Sequence, residues 1–134
     1  MITYLLDTNI CIYILKRKPE YIFEKFQNLI PGTVGISSIT LAELLYGVSK
    51  SSFPDKNHHA LQQFLIPLDI FDFGYDAAEQ YGKLRTQLEG KGQPIGSLDM
   101  LIGAHALSLN ALLVTNNLKE FNRIEGLKTE NWII

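Results

Sequence analysis

The order of residue types along the chain predicts an α/β protein, with a central, mainly parallel sheet of about four to five strands and helices on both faces. Short apolar runs of strand length alternate with stretches whose apolar residues recur every three to four positions, and Gly, Pro or capping residues stand between them. Strands joined by helical crossovers must run parallel, so this alternation points to a parallel sheet. The 134 residues, taken as 1–134, suit a single domain around one core.

The first strand is expected over residues 2–6, "ITYLL", ended by Asp7-Thr8-Asn9; a short helix over 10–15, "ICIYIL", precedes the basic Lys16-Arg17-Lys18 and Pro19. Ile22, Phe23, Phe26, Leu29 and Ile30 mark an amphipathic helix stopped by Pro31-Gly32. "TVGIS" reads as the second strand, with Ser38 as cap of a helix whose apolar set is Leu41, Leu44, Leu45 and Val48. Residues 49–57, "SKSSFPDKN", form a polar loop, and Leu61, Phe64 and Leu65 a helix after it. "DIFDF" is the third strand and 75–89 a helix using Ala77, Ala78, Tyr81, Leu84 and Leu88, ended by Gly90, Gly92 and Pro94. Ser97 is expected to cap a helix over 98–109, "ALLVT" is the fourth strand, and 127–134 offers a last one.

Composition narrows the function classes. Hydrophobic residues at 46% and charged residues at 19% exclude a disordered chain. Cys11, the single cysteine, lies in an apolar stretch and reads as core packing in a reducing compartment. "MITYLLDTNICIYIL" is broken by Asp7 and Asn9, has no basic leader and falls short of the ~18 apolar residues of a membrane span, so a cytoplasmic protein without membrane contact is expected. The net charge of −2 gives no basic footprint for general nucleic-acid binding. Acids gathered around metal ions could still hold a phosphodiester, because the cations cancel the local charge.

Ligands of open α/β sheets bind beyond the carboxyl ends of the strands. Asp7 ends the first strand, the second leads into the helix with Glu43, Asp99 opens the helix before the fourth, and that strand exits into Thr115, Asn116, Asn117 and Glu120. Each has a structural reading too. Asp7 can cap a helix, Asp99 can complement a helix dipole, Glu43 can be a solvated outer-face residue, and Asn116-Asn117 can make an Asx turn. His105 reads as a satisfied helix histidine, and His58-His59 lies in the polar loop without a second ligand at suitable spacing. Should the acids converge, hard oxygen ligands without Cys or a suitable His favour Mg²⁺ or Mn²⁺ over zinc, and the natural reaction is phosphodiester hydrolysis. Without metal, the packed carboxylates raise one another's pKa and cost stability.

Four blocks resemble one family. "YLLDTNI" at 4–10, "ISSITLAELLYG" at 36–47, "KGQPIGSLDMLIGAHAL" at 91–107 and "LLVTNNLKEFNRIEGLKTENW" at 112–132 are similar, in order and spacing, to PIN-domain toxins of VapC type, across essentially the whole chain. The resemblance implies a PIN-like fold and a Mg²⁺- or Mn²⁺-dependent endoribonuclease, the toxin of a type II toxin–antitoxin pair. It implies inhibition by a VapB-like antitoxin, a homodimer, a higher complex with the antitoxin, and RNA as substrate: tRNA, with the anticodon stem-loop of initiator tRNA as the specific expectation. Carried over by motif, Asp7 and Asp99 are the metal-anchoring acids, Glu43 is the helix glutamate, and Thr8, Asn9 and Ser38 steady the carboxylates. Many family members carry an aspartate where this chain has Asn117. An amide adds no charge, so Glu120 is expected to complete the catalytic set, with Thr115, Asn116 and Asn117 shaping the rim.

Lys16, Arg17, Lys18, Lys83 and Arg85 are the candidate RNA-phosphate contacts, set against the ordinary reading of solvated surface charge. An antitoxin arginine directed at the acids would compete with metal by bidentate pairing. Three rivals predict other things: a non-catalytic PIN-like binding module should have lost some of the first three acids, a receiver-like domain should pair acids after its first strand, and a metal-dependent phosphatase should act on small esters rather than RNA.

Overall fold

The computed structural model describes residues 3–133. Its elements are β1 (Tyr4–Leu6), α1 (Thr8–Lys16), α2 (Glu20–Gln27), β2 (Val34–Ser37), α3 (Ser38–Ser49), α4 (Pro54–Leu65), β3 (Asp69–Phe71), α5 (Tyr75–Gly90), α6 (Ser97–Leu109), β4 (Leu112–Val114), α7 (Leu118–Phe121) and β5 (Lys128–Glu130). The five strands form one sheet in the order β3-β2-β1-β4-β5, and every pairing is parallel. Ile2 of the expected first strand and Ile134 of the expected last lie outside the described residues.

Strand order dictates where the helices go. Crossovers between parallel strands are right-handed, so the steps β1 to β2 to β3 stack α1, α2, α3 and α4 on one face. The return to β4 and then β5 runs the opposite way and sends α5, α6 and α7 to the other. The core divides accordingly: Leu6, Val34, Ile36 and Val114 pack with Ile10, Ile14, Ile22, Leu44, Leu61 and Phe64, whereas Leu5 and Leu113 pack with Leu84, Leu88, Met100, Ile102 and Phe121. Leu5 and Leu6, like Leu113 and Val114, face opposite layers because strand side chains alternate. Each fully buried Leu or Ile contributes roughly 1.5–3 kcal/mol. Among the described residues no helix is long and apolar enough to cross a membrane.

Three local expectations are corrected. Ser37, not Ser38, caps α3, its Oγ accepting from Ile39 N at 3.0 Å; Ser38 is the first helical residue. At α6 the cap position belongs to Gly96, and Ser97 is already helical. The loop expected over 49–57 is shorter, because Pro54 starts α4 at a position that tolerates a missing N–H, and His58-His59 therefore lies on a helix.

Gly35 sits where β2 meets the edge strand β3. A Cβ there would lie 2.6 Å from the Asp69 carbonyl oxygen and 2.6 Å from Phe71 Cε2, and the backbone oxygen cannot move without disturbing the ladder. Gly35→Ala is therefore expected to destabilise the protein by about 1–3 kcal/mol, read as a lower urea midpoint at unchanged m-value.

Candidate active site

The β1/β4 register sets the centre of the site. Leu6 is paired with Val114, so the next residues, Asp7 and Thr115, stand side by side at the carboxyl edge, where the direction of the crossovers reverses. Asp7 N donates to Val114 O at 2.9 Å, and the Thr115 hydroxyl donates to Asp7 Oδ2 at 2.8 Å. Asp7 Oδ1 accepts from Thr8 N at 2.7 Å, which makes Asp7 the N-cap of α1. Capping and a site role coexist, since a carboxylate offers about four lone-pair positions and these bonds use two. Burial raises the Asp7 pKa, the Thr115 and Thr8 bonds pull it down, and the Glu43 charge raises it.

Glu43 reaches the same edge from α3. The Thr8 hydroxyl donates to Glu43 Oε1 at 2.7 Å and lies 3.2 Å from Thr40 Oγ1, so one side chain of α1 orients the glutamate one turn beyond Thr40. The half-buried position of Glu43 rules out the solvated outer-face reading.

Asp99, in the first turn of α6, meets Glu120 of α7 through Asn117. Asn117 Nδ2 donates to Asp99 Oδ2 at 3.3 Å and to Glu120 Oε2 at 3.1 Å, while its backbone N donates to Thr115 Oγ1 at 2.9 Å. Thr115 thus links Asp7 to the Asn117 turn. The Asp99 pKa is pushed up to about 7, first by burial, next by the hydrogen bond it shares with Glu120, and then by the charges of Asp7, Glu120 and Glu43. Glu120 is held below its ordinary value by hydrogen bonds from Asp99, Asn117 and the Gly96 backbone. The two neighbouring carboxyl groups are thus shifted in opposite directions, Asp99 up and Glu120 down.

A cavity of about 480 Å³ opens over the cluster, with Asp7, Thr8, Asn9, Glu43, Gly96 and Asp99 in its wall. Other expected positions fall elsewhere. Ser38 Oγ accepts from Phe73 N at 3.0 Å and so fastens the exit of β3 instead of a carboxylate. Asn116 is exposed and its Oδ1 accepts from Asn131 Nδ2, pointing away from the acids. Arg17 lies over the Phe23 ring at 4.1 Å and Arg85 is engaged by Tyr81 and Glu89 within α5, while Lys16, Lys18 and Lys83 are exposed. The sequence reading missed Thr40, Ser37 and Gly96. For Thr40 a signal existed: it stands three residues before Glu43, on the same helix face.

The donor set fits a hard divalent cation. It consists of oxygens, and Asp7, Glu43 and Glu120 all raise the pKa of Asp99, an excess of negative charge that a cation relieves. Among the described residues no three His, Cys, Asp or Glu side chains stand close enough to enclose an ion by themselves. The fit is to an ion such as Mg²⁺, which takes one or two carboxylates and completes its shell with water and substrate oxygens.

Comparison with known proteins agrees with this geometry. The PIN domain family model matches residues 4–127. The chain is 50% identical over 130 residues to "Ribonuclease VapC2" of Rickettsia felis, covering 96% of this chain and 97% of that protein. It is 43% identical over 132 residues to "tRNA(fMet)-specific endonuclease VapC" of Shigella flexneri, covering 98% and 99%. A crystal structure of VapBC2 from Rickettsia felis bound to a DNA fragment from their promoter contains a chain that superposes with a TM-score of 0.92 at 50% identity, covering 98% of this chain and 99% of that one.

The raised pKa of Asp99 has a stability consequence. The folded state holds the proton up to about pH 7 and the unfolded chain releases it near 3.8, so this group lowers stability as pH rises across that window. Asp7 acts in the same direction and Glu120 in the opposite one. The metal-free protein is expected to lose more melting temperature between pH 5 and about pH 8 than its Asp99→Asn variant, a difference that a thermal-unfolding series reads directly.

Proposed function

We propose, on the premise that this chain belongs to the PIN domain family and is a VapC-type ribonuclease, that it hydrolyses RNA phosphodiester bonds at the carboxylate cluster with Mg²⁺ or Mn²⁺. The observation that carries the reading is the convergence of Asp7, Glu43, Asp99 and Glu120 from four separate segments on one sheet edge, with Asp99 pushed up to about 7. Asp7 and Asp99 are the residues that hold the ion. Held there, such an ion would supply Lewis acidity, lowering the pKa of a water and offsetting charge that develops on phosphate oxygens.

The chain's own groups do the rest. Asp7 is locked by Thr8 N and Thr115 Oγ1, so its carboxylate needs no reordering when the substrate arrives. Glu43, with Oε1 taken by the Thr8 hydroxyl, has its other oxygen to accept a proton from the attacking water. Glu120 and Asn117 keep Asp99 at the rim. Asn117 turns its amide nitrogen toward both acids, which leaves Glu120 as the fourth acid. Lys16, Lys18 and Lys83 are assigned to phosphates beyond the scissile one.

The substrate assigned is initiator tRNA, cut in its anticodon stem-loop; the Shigella flexneri relative named for tRNA(fMet) supports it. The partner assigned is a VapB-like antitoxin, supported by the VapBC2 complex of Rickettsia felis; the homodimer of the free toxin rests on the family resemblance alone. An apolar cavity of about 590 Å³ between α1, α2 and α4, walled by Ile14, Phe23, Phe26 and Phe64, gives an antitoxin segment room to bury side chains. An antitoxin arginine at the carboxylates would displace the cation.

Antitoxin-free protein is expected to cleave initiator tRNA with Mg²⁺ or Mn²⁺ and to stop with a chelator. Asp7→Asn and Asp99→Asn should each lower the rate by roughly two orders of magnitude or more while the fold persists by circular dichroism. Cleavage that survives both substitutions would remove the site, and hydrolysis of small phosphate esters without RNA cleavage would make the protein a phosphatase.

A further inference from the structure

His105 has no part in the chemistry above, yet it is 2% exposed and makes a short polar contact. Its Nδ1 lies 2.7 Å from Ser37 Oγ, itself fully buried. Ser37 Oγ already accepts from Ile39 N at 3.0 Å as the cap of α3. The hydroxyl keeps its proton and a second lone pair, so it donates to a bare Nδ1 or accepts from a protonated one according to the ring's tautomer, and the link forms in either case. Phe73 stacks edge-on against the ring, with centroids 5.4 Å apart, and Phe73 N donates to Ser38 Oγ at 3.0 Å. The imidazole is thus clamped between the end of β2, the exit of β3 and α6.

Position gives the contact its meaning. Leu5 is paired with Gly35, which puts Ser37 in the row that holds Asp7 and Thr115 at the carboxyl edge. Glu43 follows Ser37 by six residues along α3 and Asp99 precedes His105 by six along α6. At 1.5 Å per residue each acid stands about 9 Å along its helix from the contact. The Ser37–His105 bond joins the two helices that carry acids from opposite faces of the sheet. Apolar packing tolerates small slides of one helix on another, whereas a hydrogen bond at 2.7 Å fixes one register.

We propose that His105 is a positioning residue: by holding Ser37 it fixes the start of α3 against α6 and so sets the separation of Glu43 from Asp99. The inference rests on the proposed cation site. It extends that site into the core, to a side chain that touches neither ion nor substrate.

The test compares His105→Leu, His105→Asn and Ser37→Ala in the full, antitoxin-free chain, with Leu88→Ala as a core control that destabilises without touching the link. Melting temperature is measured beside Mn²⁺ affinity, read from the free-ion electron paramagnetic resonance signal, and kcat and KM on the RNA stem-loop. His105→Leu and Ser37→Ala should weaken Mn²⁺ binding by about 10–100-fold and lower kcat with little change in KM. His105→Asn, whose amide can offer either an acceptor or a donor near the Nδ1 position, should recover most of both. Leu88→Ala should lose melting temperature but keep its Mn²⁺ affinity.

Wild-type Mn²⁺ affinity in His105→Leu or Ser37→Ala overturns the inference and leaves the cation site standing. So does an equal loss in Leu88→Ala, since general loosening then accounts for the effect. Absence of Mn²⁺ binding and cleavage by the wild type overturns the cation site, and the inference falls with it. Should His105→Leu fail to fold, Ser37→Ala and His105→Asn still decide the outcome.

Discussion

The hydrogen bond from Thr115 to Asp7 ties the sheet to the chemistry. It forms because β1 and β4 are neighbours in parallel register although more than a hundred residues separate them in the chain. Once Asp7 and Thr115 are side by side, α1 must start beneath the first and the Asn117 turn must follow the second. Thr8 then reaches Glu43, and Asn117 reaches Asp99 and Glu120. A slip of one residue in that register would turn Asp7 toward the α1–α4 face and separate the acids.

That arrangement has an electrostatic cost that the neighbouring hydrogen bonds moderate. Among the described residues every buried side-chain polar atom has a partner, so the site is short of positive charge and not of hydrogen bonds. Donors from Thr115, Thr8 and Asn117 stabilise carboxylates without adding charge, and burial first, then the hydrogen bond shared with Glu120 and the neighbouring charges, raise the pKa of Asp99. On the proposed function a cation would substitute for the Asp99 proton, and metal binding and proton loss would be two faces of one equilibrium.

Most of the fold was legible in the sequence because the strands are short apolar runs with clear stops, and their alternation with helices leaves few topologies. Capping was read less well. Ser37 and Ser38 are adjacent and chemically identical, and only the end of β2 decides which of them caps α3. The Pro54 start of α4 was hidden by polar residues that suit a solvent-facing helix as well as a loop. In the site, Asp7 was legible because it directly follows a strand, whereas Glu43, Asp99 and Glu120 lie on helices and were picked out only as acids near the same sheet edge. Their number was left open by Asn117, and it took three-dimensional placement to show its amide nitrogen turned toward both Asp99 and Glu120. The assignment of His105 as a satisfied core histidine holds, but its partner, 68 residues away, left no trace in local pattern.

The central claim of the proposed function is that a cation replaces the proton held by Asp99. Mg²⁺ titration calorimetry of the antitoxin-free protein at pH 6.5, repeated in buffers of different ionisation enthalpy, counts the protons released on binding. If a cation replaces that proton, about three-quarters of a proton per site is released at pH 6.5, falling toward none well above pH 7, the value to which Asp99 is raised. Binding without proton release at pH 6.5, or release that persists unchanged in Asp99→Asn, would contradict it.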